Sequence, residues 1–341
     1  MKLLLHIGTE KTGTTTIQEA LFRNRAALSN LGFHFLRCAG EKNNRALAAY
    51  CMRENRYDDF FSSRSIRDVE SRNKFNKSFI EKFRRELCEL DNTIHTVIIS
   101  SEHFHSRTVF LDEVESLKHL LIEFFEEIEI LIYLRPQADV AVSLYTTALK
   151  SGKSVGFEDF VFNSCVPENY YYNYSKILEQ WSSVFSQGSL VPKIFSRREF
   201  IEGDLLVDFV SSIDSNIVSC LDLNVGVMNE SVTHLGQSLL RSVNELVKGL
   251  DDRDTKIRVR REVLNLLSDR ASGAGLGLTK EKYVLVQRKF DDINECVREK
   301  FFPKRNFLFK DRTVFDEGRI LRREDESLIF HCLRTIGEHL I

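Results

Sequence analysis

Nine residues near the start of the chain, Gly8-Thr9-Glu10-Lys11-Thr12-Gly13-Thr14-Thr15-Thr16, have the make-up of a phosphate cradle. Two glycines allow a tight turn in which successive backbone N–H groups face inward. A helix opening after Gly13 would turn the positive end of its dipole toward a bound anion. Lys11 adds a mobile cation, and the threonine hydroxyls add donors. The spacing from Gly8 to Gly13 is that of a Walker A loop, yet Thr14 stands where that motif requires Lys. A nucleoside triphosphate needs that Lys on its β- and γ-phosphates and a following hydroxyl on Mg²⁺. A Lys placed before the second glycine suits a different phosphate ester, gripped without a metal.

A second anion-binding pair lies at Tyr133-Leu134-Arg135-Pro136, where Arg135 ends an apolar run and Ser143 follows eight residues later on a helical pattern. The planar guanidinium gives permanently charged, bidentate hydrogen bonds to a terminal phosphate. Between the two pairs lies Ser100-Ser101-Glu102-His103-Phe104-His105, which holds three titratable groups fit to take a proton. In an extended chain Glu102 and Phe104 would face one way and His103 and His105 the other. A carboxylate directly after a buried strand is costly unless a partner or a reaction uses it. That ranks Glu102 first as general base, His103 second and His105 third. His6, inside the first apolar run, reads as a packed histidine. Tyr170-Tyr171-Tyr172-Asn173-Tyr174 offers rings that could stack on a sugar or another flat molecule, although packing is their commoner use.

Lys11-Thr12-Gly13-Thr14-Thr15 resembles the Lys-x-Gly-Thr-Thr core of the family of sulfotransferases dependent on 3′-phosphoadenosine 5′-phosphosulfate (PAPS). The Arg135 to Ser143 segment resembles that family's 3′-phosphate site, and the likeness covers roughly residues 1–200. The resemblance implies a P-loop-like sulfotransferase architecture and transfer of a sulfuryl group to a hydroxyl or amine. Lys11 would contact the bridging oxygen, Thr12, Gly13, Thr14, Thr15 and Thr16 would hold the 5′-phosphate, and Arg135 and Ser143 the 3′-phosphate. PAPS would leave as adenosine 3′,5′-bisphosphate, with no metal expected. The acceptor would be a small molecule or a glycan, a carbohydrate by family habit. The family's adenine-stacking aromatic is not located. Its C-terminal phosphate-binding loop is not recognisable either; Lys310 and Arg312 are the candidates for it. Two other readings stay open: a P-loop small-molecule kinase with Glu102 as a Walker-B-type acid, and a nucleotide-binding adaptor without turnover.

The elements that must position these residues follow from periodicity. Short apolar or β-branched runs at 3–7, 33–36, 97–100, 128–134 and 190–195 predict strands. Helical spacing predicts helices over 14–31, 117–125, 174–185, 231–250, 257–267 and 280–301, and one through Val140, Leu144 and Leu149, with a loop at 272–277. Alternating strands and helices give an α/β fold with a mostly parallel central sheet flanked by helices. Residues 1–225 are expected to form the core, with a helical insertion near 43–92 that reads as a solvated face. Residues 226–341 are expected to form a helical part packed on that core as one domain.

The 341-residue chain is 43% hydrophobic and 29% charged, ordinary for a globular protein. A net charge of −2 argues against nucleic acid as a partner. Seven scattered cysteines with no CxxC pattern read as reduced thiols. No signal-like h-region and no apolar stretch of about 18 residues is present, so a cytoplasmic protein without a transmembrane segment is expected. The oligomeric state has no sequence signal.

Overall fold

β1 (Lys2–His6) is short and almost wholly apolar, and Leu3, Leu4 and Leu5 are at most 1% exposed. Such a run suits a strand covered on both faces. In the computed structural model, which describes residues 1–226, 232–310, 315, 329, 331–334 and 337, it is the central strand of a five-stranded sheet. The other strands are β2 (Phe33–Phe35), β3 (Thr96–Ser100), β4 (Glu127–Leu134) and β5 (Leu190–Ile194). Every pairing is parallel, in the order β2-β3-β1-β4-β5. The α/β fold with helices flanking a parallel sheet is therefore as the periodicity predicts.

Register decides what meets at the carboxyl edge. His6 lies opposite Ser100 on β3 and Leu131 on β4. The Ser101 N–H then continues the ladder to the His6 carbonyl at 3.0 Å. The chain thus leaves β1 and β3 side by side, where open α/β sheets bind ligands.

Helices α1 (Thr14–Arg23) and α2 (Arg25–Asn30) follow β1. The single helix expected over 14–31 breaks at Asn24, whose side chain bonds the Ala20 carbonyl and the backbone of Asp222. After β2 come α3 (Arg45–Cys51), α4 (Asp59–Ser62) and α5 (Val69–Cys88). The charged face of α5 is solvated as expected, with Lys74, Lys77, Lys82, Arg84 and Arg85 exposed, but the phenylalanines of this segment turn inward. Phe60, Phe61, Phe79 and Phe83 are at most 4% exposed; Phe60 and Phe61 join Ala49, Met52 and Ile66 in a small core, and Phe75 links them to Phe79 and Phe83.

Next are α6 (His103–Arg107), α7 (Leu111–Leu121), α8 (Gln137–Lys150), α9 (Phe157–Ser164), α10 (Tyr174–Phe185) and α11 (Leu205–Ile213). The later segments are α12 (His234–Lys248), α13 (Arg253–Arg270), α14 (Lys280–Arg288) and α15 (Asp291–Phe301). The helix expected over 280–301 is divided by Lys289 and Phe290.

The chain forms two compact units: Met1–Arg135, Asn173–Met228 and Ile293–Leu308 make one, and Pro136–Tyr172, Asn229–Asp292 and Phe309–Ile341 the other. They interleave in sequence, so the division does not fall at 225/226. The first unit carries the sheet. The second packs Tyr145 and Leu149 of α8 with Leu240 and Val243 of α12 and Val259 and Val263 of α13. Among the described residues no helix is long and apolar enough to cross a membrane.

Candidate active site

The loop after β1 is folded by its own hydroxyls and by β4. The Thr9 N–H and Oγ1 both donate to the Tyr133 carbonyl, and the Tyr133 N–H returns a bond to the Gly8 carbonyl. Thr12 Oγ1 donates to the Thr9 carbonyl at 2.5 Å. Thr9 and Thr12 are both fully buried, so these two hydroxyls shape the turn. The Thr12 hydroxyl proton is thus committed to the turn itself. Thr14 is buried, Thr16 half-buried and Thr15 exposed.

Three residues of the loop have positive φ: Gly8 at 93°, Lys11 at 68° and Gly13 at 73°. For Lys11 this left-handed conformation is strained, and such strain persists only where the surroundings impose it. Arg135 supplies part of that constraint, since its Nη1 donates to the Lys11 carbonyl at 2.8 Å. Arg135 is itself held by Tyr174, whose hydroxyl donates to the Arg135 carbonyl at 2.6 Å. Its guanidinium carbon lies 5.6 Å from the centroid of the Phe195 ring. Gly13 is the N-cap of α1. With no side chain there, the cap cannot provide the oxygen that usually occupies the first free N–H groups.

Glu102 adjoins the loop. A Cβ on Gly8 would come within 3.0 Å of the Glu102 Cα and 3.1 Å of its Cβ, so glycine is needed there for closeness as well as for φ. The expected alternation along 102–105 does not occur, because Glu102 is already helical (φ −66°, ψ −12°) and opens α6. Phe104 anchors that helix, fully buried edge-on against Trp181. His105 turns inward and is 1% exposed, whereas the side chains of Glu102 and His103 keep 18% and 15% exposure.

Glu102 Oε2 accepts from Gln18 Nε2 on α1 at 2.8 Å and from Asn43 Nδ2 at 2.9 Å. Its Oε1 lies 4.0 Å from His103 Nε2. Burial pushes the His103 imidazole below its usual value, Glu102 pulls it up, and Arg45 and Arg107 push it further down. His103 is therefore neutral at pH 7. His6 is sealed: it is fully buried, its Nδ1 lies 2.9 Å from Ser100 Oγ, and burial takes its pKa down to about 3.

Lys11, Gly13, Arg135 and Glu102 are thus placed around one loop by the sheet edge. Ser143 lies on α8 in the second unit and Lys310 is exposed. Arg312 lies outside the described residues. Of the tyrosine run, Tyr172 and Tyr174 are at most 2% exposed, so those two rings pack. Sequence reading missed Gln18 and Asn43 as members of this site, and singled out Tyr174 for its ring where its hydroxyl makes the contact. Each acts across a long sequence separation, and carboxamides carry no local motif.

No family model matches the chain. An uncharacterized protein of Archaeoglobus fulgidus is 27% identical over 235 residues, which is 67% of this chain. The chain spans 59% of that relative's length. A sulfotransferase from Alicyclobacillus acidocaldarius, known by crystal structure, is similar over 76% of this chain and 94% of its own. That similarity has 15% identity and a TM-score of 0.37, and at that level it transfers no residue role.

Proposed function

We propose that the chain is a sulfotransferase that moves a sulfuryl group from PAPS to a hydroxyl or amine. The observation that carries the reading is the bond from Arg135 to the Lys11 carbonyl, which brings the arginine of the second segment to the loop of the first. The donor set suits a phosphosulfate: a cation at Lys11, an α1 N-terminus capped only by glycine, and a guanidinium with five N–H donors. Lys11 would stabilise negative charge growing on the leaving oxygen. The first N–H groups of α1 would hold the 5′-phosphate and Arg135 the 3′-phosphate, a role that the family resemblance gives to Ser143 as well. Glu102 would take the acceptor proton, and neutral His103 beside it is the second candidate for that role. His105, turned inward, ranks last.

The acceptor is proposed to be a carbohydrate or another hydroxylated small molecule, and the compartment the cytoplasm. The test is transfer of ³⁵S from labelled PAPS to a panel of sugars, phenols and amines in EDTA, with ATP and Mg²⁺ as the competing donor. Labelled product that disappears in Lys11→Ala supports the reading. Phosphoryl transfer from ATP, with none from PAPS, would replace it by the kinase reading. Nucleotide binding without any transfer would leave the adaptor.

A further inference from the structure

Glu102 is gripped on one carboxylate oxygen, and the grip is built in layers. Asn44 begins it. The Asn44 N–H donates to the Ser100 carbonyl at 3.0 Å, and Asn44 Oδ1 accepts from the Ser100 N–H at 2.9 Å. The fully buried Asn44 side chain thus extends the edge of β3 beyond the point where three-residue β2 stops pairing. That brings the neighbouring Asn43 over Ser101. Ser101 Oγ accepts from the His103 N–H at 3.3 Å and gives its own proton to Asn43 Oδ1 at 2.6 Å. With its oxygen so engaged, the Asn43 amide must turn its nitrogen toward Glu102. On the other side Gln18, 4% exposed, delivers a second amide proton to the same carboxylate oxygen.

Two neutral donors on Oε2 fix the carboxylate plane without adding charge. The other oxygen, Oε1, then carries the accessible lone pairs on the side of His103. A general base must be held within a fraction of an ångström of its proton. We propose that Asn43 is a positioning residue, with Gln18 as its counterpart. The pair, locked by Ser101, orients Glu102 so that Oε1 takes the acceptor proton. The inference rests on the sulfuryl-transfer reading. With water as the simplest acceptor, the water oxygen attacks sulfur, Oε1 takes one of its protons, and the bond from sulfur to the bridging oxygen breaks. That oxygen leaves with the electron pair on adenosine 3′,5′-bisphosphate, and the product is hydrogensulfate, which ionises to sulfate.

Asn43→Asp separates positioning from scaffolding. It keeps the size of the side chain and an oxygen for Ser101, but replaces the donated proton by a negative charge facing Glu102. The first readout needs no turnover. In ¹⁵N spectra of the whole protein, the side-chain amide protons assigned to Asn43 and Gln18 should exchange slowly, and both should lose protection in Glu102→Ala. The second readout is sulfate release from PAPS. Asn43→Asp should lower kcat by about tenfold to a hundredfold, the scale of a misplaced catalytic group. KM for PAPS and the affinity for adenosine 3′,5′-bisphosphate should stay within about twofold. The inference is overturned if the Asn43 amide is indifferent to Glu102→Ala, if Asn43→Asp turns over normally, or if its nucleotide affinity falls as far as its kcat. A wild-type protein that binds no nucleotide while its amides remain protected contradicts the sulfotransferase reading, and with it the proton-transfer role. The grip on Glu102 would then stand alone as architecture.

Discussion

Glu102 and Arg72 are both charged side chains drawn into the same unit, and they are satisfied in opposite ways. Arg72, on α5, is fully buried. Its Nη2 donates to the Ala49 and Met52 carbonyls at 2.8 Å each, its Nη1 to the Arg56 carbonyl, and its Nε to Asn76. The Phe61 ring lies 4.0 Å from the guanidinium carbon. Two of those carbonyls belong to the carboxyl end of α3, where a cation meets the negative end of the helix dipole. Burial lowers the Arg72 pKa, but the surrounding oxygens keep the charge in place. Glu102, by contrast, is held on one oxygen by side chains and keeps an accessible edge beside a neutral histidine. A charge closed in by main-chain carbonyls organises a fold. A charge fixed on one oxygen and open on the other has the arrangement that the proposed general base requires.

That contrast predicts two different losses. Glu102→Gln should lower turnover by about 10²- to 10⁴-fold, the usual contribution of a general base, with the melting temperature nearly unchanged. Arg72→Met should do the reverse. It strands several buried carbonyls and should lower stability by about 3 kcal/mol, while nucleotide affinity measured on the folded protein stays as in the wild type. Chemical denaturation and calorimetry on both variants check this. Equal losses of stability in both would erase the distinction.

A smaller effect sharpens the same contrast between His6 and His103. His6 has a folded pKa near 3 against the ordinary 6.5, so the unfolded chain binds a proton that the fold refuses. Its stabilising contribution is complete above about pH 6.5 and is lost as pH falls from there toward 3. The slope reaches at most about 1.4 kcal/mol per pH unit. Carboxylates such as Glu86, held down to about 2 by its hydrogen bonds, add to the acid loss only at lower pH. Melting temperatures between pH 6.5 and 5 should fall less steeply in His6→Gln than in the wild type. Equal slopes would mean that His6 is not sealed.

The loop, the strands and Arg135 were legible because their signals are local: apolar runs of strand length, a Gly/Thr turn, and an arginine at a strand end. Glu102 stood out for its place after β3. What carried no signal were contacts made across the sequence. Asn43 reaches Glu102 over 59 positions and Gln18 over 84. The phenylalanines at 60, 61, 79 and 83 lie among charges and read as solvated, yet all four are buried and Phe61 lies against Arg72, a pattern no periodicity announces. The 102–105 segment misled for a local reason: an extended alternation was assumed where α6 had already begun. The single cut at 225/226 overlooked that residues 136–172 fold with the later helices.

In the proposed reaction Lys11 and Arg135 serve one activated-sulfate nucleotide without a metal. Calorimetric titration of adenosine 3′,5′-bisphosphate into the full chain in EDTA tests it most directly. Metal-free saturable binding is expected, weakened by about tenfold to a hundredfold in Arg135→Ala, as for loss of a charge-assisted hydrogen bond. No heat in EDTA, with binding restored only by ATP and Mg²⁺, would contradict it.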